Sequence, residues 1–489
     1  MHSDTPFSRP VRLAALTVAG VTLWRLAILA FASPNLSFDE AQYWAWAQTF
    51  QLGYYSKPPM VAWAIAGTTA LCGDGEGCVK LSSVLAHLVT AGLLFLLGRD
   101  LWNARVGAWA MVAWVTLPAV SLSSMLISTD PFLLACWAGA LWCLVRGRAQ
   151  PDKISRWWLG FGLFLGLGLL SKYAMAFFLA SLAVWLIWDR EARPLWKSRG
   201  LWAGIGLGLA VYAPNLVWNA LNGFVSYEHT KDNANLGGTL FHPDKMAEFV
   251  GGQFAVFGPI LMVALVMALV AGFRSRPGSA PRLLVSFAAP VFLVMTLESL
   301  LSRANANWTA PAFVAGLLLA VAWLAERRTA WLWASLALHL AAMGGLYHFE
   351  TVRPLLGERA AKLDPMRRVR GWEMVGERLS AILAAHPGAR LLGDERKILA
   401  SVVYYVRPHP FDFAKWNPEG RVRDHYDQTS SLAVGEPLMI YVTQNPEPPQ
   451  DVIRRFDRAE HIDTIRDHID LGARGRPLLV WRLTGFKGY

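Results

Sequence analysis

The sequence predicts a polytopic α-helical membrane protein followed by a small α/β domain outside the bilayer. Three observations lead there. The 489 residues are 54% hydrophobic and only 17% charged, where a soluble domain carries roughly 25% charged residues. Apolar runs recur along the first 349 residues, many of them near the ~20 residues that cross a hydrocarbon core. From residue 350 onward both features end: charges of both signs become dense and no run could span a membrane.

The runs lie near 11–32, 79–98, 104–124, 131–147, 156–171, 174–189, 200–218, 254–273, 282–300, 308–325 and 330–348, about eleven spans. The loops between them alternate in character. One set carries Arg99 and Arg105, then Arg146, Arg148, Lys153 and Arg156, then Arg190, Arg193, Lys197 and Arg199, then Arg274, Arg276 and Arg282, and finally Arg327 and Arg328. The other set is poor in cations. The Lys/Arg bias assigns the first set and the N-terminus to the cytoplasm, and an odd number of spans carries the C-terminal part out. The expected division is 1–349 in the membrane and 350–489 outside it. Ala30-Phe31-Ala32 imitates a signal cleavage site. The apolar stretch before it is long for a signal, so an uncleaved first span is expected.

The net charge of +11 could suggest nucleic acid. The cations, however, stand in short clusters between apolar runs, a membrane pattern and not a basic binding face. Membrane lipids are therefore the expected surroundings, with 23 Trp and 24 Phe to furnish interfacial belts. In the C-terminal part, 390–393, 437–442 and 477–483 read as strands, and 371–385 and 395–406 as helices. Cys72 and Cys78 flank a Gly-rich outer loop, where an oxidising compartment suits a disulfide. Cys136 and Cys143 lie within a span as packing residues.

The residues with chemistry gather on the outer face. Ser37 and Glu40 form a capping box that opens a surface helix. Asp39 is left beside an aromatic segment, where desolvation would raise its pKa toward the working range of a general base. Lys57 precedes Pro58 and Pro59, which can open a helix; a cation is poorly placed there for the helix itself, and a phosphate suits that corner. The competing account is a lysine snorkelling to headgroups. Taken alone, Asp130 reads as an N-cap with Pro131 at N1, yet it shares a face with Asp39 and Lys57. Lys172, with Tyr173, sits between two spans joined by almost no loop, where a lysine usually has an anionic partner. Asn219, His229 and His242 lie in or beside the 219–253 loop, whose spacing matches no strong metal pattern. Arg303 can fork onto phosphate, and Asn307 and Trp308 can meet sugar hydroxyls and ring faces. No phosphate-binding P-loop or dinucleotide fingerprint occurs, so an activated donor would have to come from the membrane.

Asp39-Glu40, Tyr54-Tyr55-Ser56-Lys57-Pro58-Pro59, Thr129-Asp130-Pro131, Leu170-Ser171-Lys172-Tyr173, Trp218-Asn219 and Asn307-Trp308 together resemble the bacterial branch of the protein O-mannosyltransferase-like family. This GT-C-fold group includes the lipid A aminoarabinose transferases and the lipopolysaccharide galacturonosyltransferases. The resemblance covers roughly residues 10–325 and implies a polyprenyl-phosphate-sugar donor with transfer in the periplasm, at the bacterial inner membrane. By that likeness Asp39 activates or positions the acceptor, Lys57 meets the donor phosphate, and Asp130 organises the site. Lys172 and Arg303 join Lys57 as phosphate-binding candidates. Glu40, Tyr55, Tyr173, Asn219, His229, Asn307 and Trp308 are the substrate-binding candidates. The expected acceptor is lipid A or lipopolysaccharide. One departure stands out: the aminoarabinose transferases carry a metal-holding Glu where this chain has Ser56. That weakens both a metal and that sugar, and no cofactor is expected. The rival function is a transporter or flippase for a lipid-linked sugar, whose polar residues would sit at the bilayer midplane and not at one rim.

Overall fold

The computed structural model describes residues 9–234, 240–357, 363–445, 450–466 and 477–489. The described residues form two compact units. One draws on Met1–Phe31, Lys57–Ala64 and Lys80–Phe349; the other on Ala32–Ser56, Ile65–Val79 and Glu350–Tyr489. The second unit therefore recruits two early stretches that a cut at residue 349 assigns elsewhere.

In chain order the helices up to residue 221 are α1 (Arg9–Phe31), α2 (Phe38–Ala47), α3 (Met60–Cys72), α4 (Glu76–Leu101), α5 (Ala104–Thr116), α6 (Pro118–Ser123), α7 (Asp130–Gly147), α8 (Arg156–Ser171), α9 (Ala176–Trp188) and α10 (Arg199–Leu221). There follow α11 (Val225–Ala234), α12 (Pro243–Phe257), α13 (Pro259–Phe273), α14 (Ala280–Leu301), α15 (Ala310–Arg327), α16 (Thr329–Tyr347) and α17 (Phe349–Leu356). Among the described residues six helical segments are long and apolar enough to cross a membrane: α1, α4, α10, α14, Ala306–Arg327 and α16. α12 and α13 pass that test only together.

Two of the expected runs are corrected at their breaks. The run at 104–124 is α5 and α6, interrupted where Pro118 removes an N–H donor and holds Leu117 out of the helical region. The run at 254–273 is cut at Gly258, whose φ of 83° is open to glycine. Pro259 then starts α13, and the pair bends by 110°. A Cβ on Gly258 would also meet His339 Nε2 at 2.0 Å, so the bend is packed as well as permitted.

The second unit contains α18 (Trp372–Ala385), α19 (Arg396–Tyr405) and a five-stranded sheet. The strands are β1 (Arg390–Gly393), β2 (Phe413–Lys415), β3 (Leu438–Thr443), β4 (Phe456–Ile465) and β5 (Leu478–Phe486). Their spatial order is β2-β1-β3-β5-β4, with the first three parallel and β5 and β4 antiparallel. Three strands and both helices were expected. β2 and β4 were not: β2 has three residues, and β4 is a half-exposed edge strand with alternating charges. The core joins Leu392, Met439, Tyr441, Leu483 and Phe486 with Phe456 and Trp416.

The two early stretches join this unit through tyrosines of α19. Tyr404 Oη donates to the Asp74 carbonyl at 2.6 Å, and Tyr405 Oη donates to Glu76 while accepting the Leu36 N–H at 2.6 Å. The Cys72–Cys78 disulfide closes the loop that presents Asp74 and Glu76.

Candidate functional site

Three helix ends share one face of the first unit. α7 begins at Asp130, α8 ends at Ser171, and the 3-10 turn Ala306–Thr309 leads into α15. Their side chains form one cluster. Lys172 Nζ donates to Asp130 Oδ1 at 2.6 Å, and Asn307 Nδ2 donates to Asp130 Oδ2 at 2.9 Å. The Lys172 and Asp130 side chains are 22% and 14% exposed. Asp130 does not cap its helix: it stands at the first helical position, Thr129 occupies the cap, and no side-chain cap bond forms. Both carboxylate oxygens are turned instead to the neighbouring helices. A charge this poorly hydrated needs such partners, because attraction offsets desolvation only when the remaining lone pairs are also satisfied.

The sequence fixes each member locally. α8 reaches its place through Gly162 and Gly166. A Cβ at Gly162 would lie 2.3 Å from the Gly204 carbonyl, and one at Gly166 would lie 2.7 Å from that of Gly208. The backbones of α8 and α10 therefore touch through small residues four apart. α8 stops at Lys172, which turns extended before the 3-10 turn Tyr173–Met175. On the approach to α7, the α5–α6 break frees a carbonyl at Val115, which accepts from the buried Arg25. Arg25 Nε also donates to Tyr347 Oη at 2.9 Å, and Tyr347 donates to the Ser121 carbonyl at 2.8 Å. Side chains thus take over backbone groups that a broken span leaves unsatisfied. Asn307 is steadied by Thr309 Oγ1, which donates to Gln253 Oε1 at 2.6 Å.

An amide and phenol group continues from Lys172. Tyr173 Oη donates to Asn215 Oδ1 at 3.5 Å and accepts from Asn219 Nδ2 at 3.3 Å. Its ring stacks on Tyr227 at 4.9 Å, and the Tyr227 hydroxyl pairs with that of Tyr212. Asn215 and Asn219 are fully buried. Sequence reasoning missed Asn215 and Tyr212; the available signal was a polar pair inside an apolar run.

The remaining candidates of this unit are more scattered. Lys57 is half-buried immediately before Pro58 and Pro59, and α3 starts at Met60. Arg303 is exposed in the link after α14. Trp308 is half-buried in the turn that holds Asn307. His229 lies on α11 and His242 at the cap of α12, while residues 235–239 of that loop fall outside the described set. Among the described residues no three of His, Cys, Asp or Glu are grouped as metal ligands.

Asp39 belongs to the second unit, in the first turn of α2. The expected capping box is present: Ser37 Oγ accepts the Glu40 N–H at 3.4 Å and Glu40 Oε2 accepts the Ser37 N–H at 2.8 Å. Glu40 is thereby buried, at 2% exposure. Tyr55 sits in the turn that follows, half-buried. Asp39, half-exposed, is held by a residue that sequence reasoning missed. Arg396, in the first turn of α19, donates from Nη1 to Asp39 Oδ1 at 2.9 Å and also to Gln42. Its guanidinium lies 5.0 Å over the Phe38 ring. Nothing local marks Arg396 in the sequence, since it follows Asp394-Glu395 as one charge among several. Nearby, burial first and Arg396 second push the His425 imidazole down to about 4.

The apolar helices thus bring a carboxylate, an ammonium and an amide together at three helix ends, and comparison with known proteins supplies the class. The family profile described as dolichyl-phosphate-mannose-protein mannosyltransferase matches residues 56–218. Over 426 residues the chain is 33% identical to the lipid A galacturonosyltransferase RgtD of Rhizobium johnstonii, covering 86% of this chain and 88% of that one. It is 25% identical over 368 residues to the lipopolysaccharide core galacturonosyltransferase RgtA of the same organism, covering 71% and 70%. The fold is that of ArnT from Cupriavidus metallidurans bound to undecaprenyl phosphate, with a TM-score of 0.62 at 15% identity over 96% and 97% of the chains. This chain is a multi-pass membrane glycosyltransferase of the GT-C fold. It belongs to the family of the lipid A galacturonosyltransferase RgtD.

Proposed function

We propose that the enzyme transfers a sugar from a polyprenyl-phosphate donor to lipid A or lipopolysaccharide on the periplasmic side of the bacterial inner membrane. In this reading about eleven spans run N-in and C-out, with the α/β domain in the periplasm. The observation that carries it is the Asp130–Lys172–Asn307 cluster at three helix ends, in a chain of the RgtD family. The likeness to RgtD supports a galacturonosyl donor. Ser56, which stands where the aminoarabinose transferases have Glu, argues against aminoarabinose.

The chemistry needs few parts. The donor phosphate is already a competent leaving group. As the bond from the anomeric carbon to phosphate oxygen breaks, the electron pair passes to the polyprenyl phosphate. Cations that hold the phosphate more tightly as charge grows lower the barrier; Lys172, Lys57 and Arg303 have this role. Asp130 and Asn307 aim Lys172. Asp39 accepts the proton of the acceptor hydroxyl as its oxygen bonds to the anomeric carbon, and attack opposite the phosphate inverts that centre. Tyr173 and Asn219, with Asn307 and Trp308, supply hydroxyl, amide and ring contacts for the sugar. No step is assigned to a metal.

The test uses purified full-length protein in detergent with polyprenyl-phosphate galacturonic acid and lipid A, read by mass spectrometry. A galacturonosylated product supports the proposal. Movement of the donor across vesicles without any transfer would replace it with the flippase reading.

A further inference from the structure

A cavity of about 350 Å³ opens at the opposite end of the first unit's helices from the Asp130 cluster, where α1, α5 and α16 begin. Its size falls in the range of small-ligand sites. Leu13, Trp109, Val112, Trp333 and Leu336 make its wall largely apolar, and among the described residues Arg9 and Arg105 are the charged groups that line it, with no carboxylate beside them. Both arginines stand in the first turns of their helices, where a cation does nothing for the helix dipole. Arg105 is aimed by Thr329, whose Oγ1 accepts from Nη2 at 3.1 Å. Trp109 and Trp333 pack edge to face with centroids 4.8 Å apart and give the wall a rigid aromatic corner.

We infer that this cavity binds one anionic glycerophospholipid, on the face that carries the arginine-rich loops. The phosphodiester lies between Arg9 and Arg105, and an acyl chain runs along Leu13, Leu336 and the two tryptophans. Charge complementarity selects this occupant. Two guanidinium groups with no carboxylate among the described lining residues favour an anionic headgroup over a zwitterionic one, and basic pockets between membrane helices suit lipid headgroups. The site lies away from the residues assigned to transfer, so it stands or falls independently of the enzyme's substrate.

The test is lipid retention by the purified full chain, stripped in detergent and titrated with phosphatidylglycerol or phosphatidylcholine of identical acyl chains, read by native mass spectrometry. One phosphatidylglycerol is expected to be retained about thirty-fold more tightly than phosphatidylcholine, the product of two arginine–headgroup contacts. The double variant Arg9→Gln/Arg105→Gln should lose that preference, while Arg9→Lys/Arg105→Lys keeps most of it. Transferase turnover by both variants, unchanged, reports that they are folded. Equal retention of the two lipids by the wild type, or a preference that survives the Gln substitutions, would overturn the inference.

Discussion

Lys172 Nζ and Asp130 Oδ1 are 2.6 Å apart although 42 residues separate them in the chain. The pair joins the end of α8 to the start of α7, and Asn307 ties it to the turn before α15. Asp130 and its tie to Asn307 fix the position of the Lys172 ammonium, which the proposed function sets against the donor phosphate. Preorganised charge of this kind needs little rearrangement during reaction.

Replacing Lys172 by Met should lower kcat by about 10²–10³, the usual loss when one electrostatic donor is removed from a developing negative charge. Asp130→Asn keeps an oxygen for Lys172 and should cost less than Asp130→Ala, which strands the ammonium. Steady-state kinetics on the purified variants check the order. Equal activity for all three would remove the cluster from the mechanism.

The Asp39–Arg396 pair calls for a different experiment. Asp39→Asn should lose about 10²–10⁴ in kcat with the protein still monodisperse. Arg396 touches Asp39 and acts through it, so Arg396→Gln should lower kcat by about 10² through misorientation. Its KM for the donor should not change. Arg396→Lys should recover part of the loss. A rise in KM with kcat intact would show that Arg396 binds substrate and does not position Asp39.

Close contact between α8 and α10 gives a packing test. Gly162→Leu would drive a side chain into the Gly204 carbonyl, 2.3 Å from the first added carbon. Overpacking costs about 1–3 kcal/mol, occasionally more, and here the helix that carries Lys172 must move. Thermal stability and transfer should fall together, whereas the first added carbon of Gly160→Leu meets a side-chain atom, the Cys143 sulfur at 2.9 Å, and not backbone, so it should be milder in both.

Acid should weaken the second unit through His425. Its imidazole titrates near 6.5 when unfolded, whereas burial, with Arg396 adding to it, holds it at about 4 in the fold. Between those values the unfolded chain binds the extra proton, so stability is complete above about pH 6.5 and declines as pH falls toward 4. The full difference is on the order of 3 kcal/mol. Denaturant unfolding of the full chain from pH 7 to pH 4 should show this slope, and His425→Gln should flatten it.

Some of this was legible from residues alone because it depends on local chemistry. The capping box at Ser37 and Glu40 needs only a three-residue spacing, and it formed as expected. β1, β3 and β5 are apolar enough to declare themselves, whereas β4, exposed at the sheet edge, reads as a loop. Asp130 misled, because a carboxylate before a proline is a good cap on sequence grounds and only tertiary neighbours could draw it away.

The sequence by itself determined that apolar helices of membrane length crowd the chain before residue 349, that strands and helices mix after it, and that a capping box opens at Ser37. Each is a property of hydrophobicity, period or motif within one short stretch. Tertiary structure alone decided that Asp130 pairs with Lys172 and Asn307, and that Asp39 pairs with Arg396, 357 residues away. The physical reason is common to both. A charged side chain takes whichever partner the packed helices bring within about 3 Å, and no local pattern in the chain encodes which partner that will be.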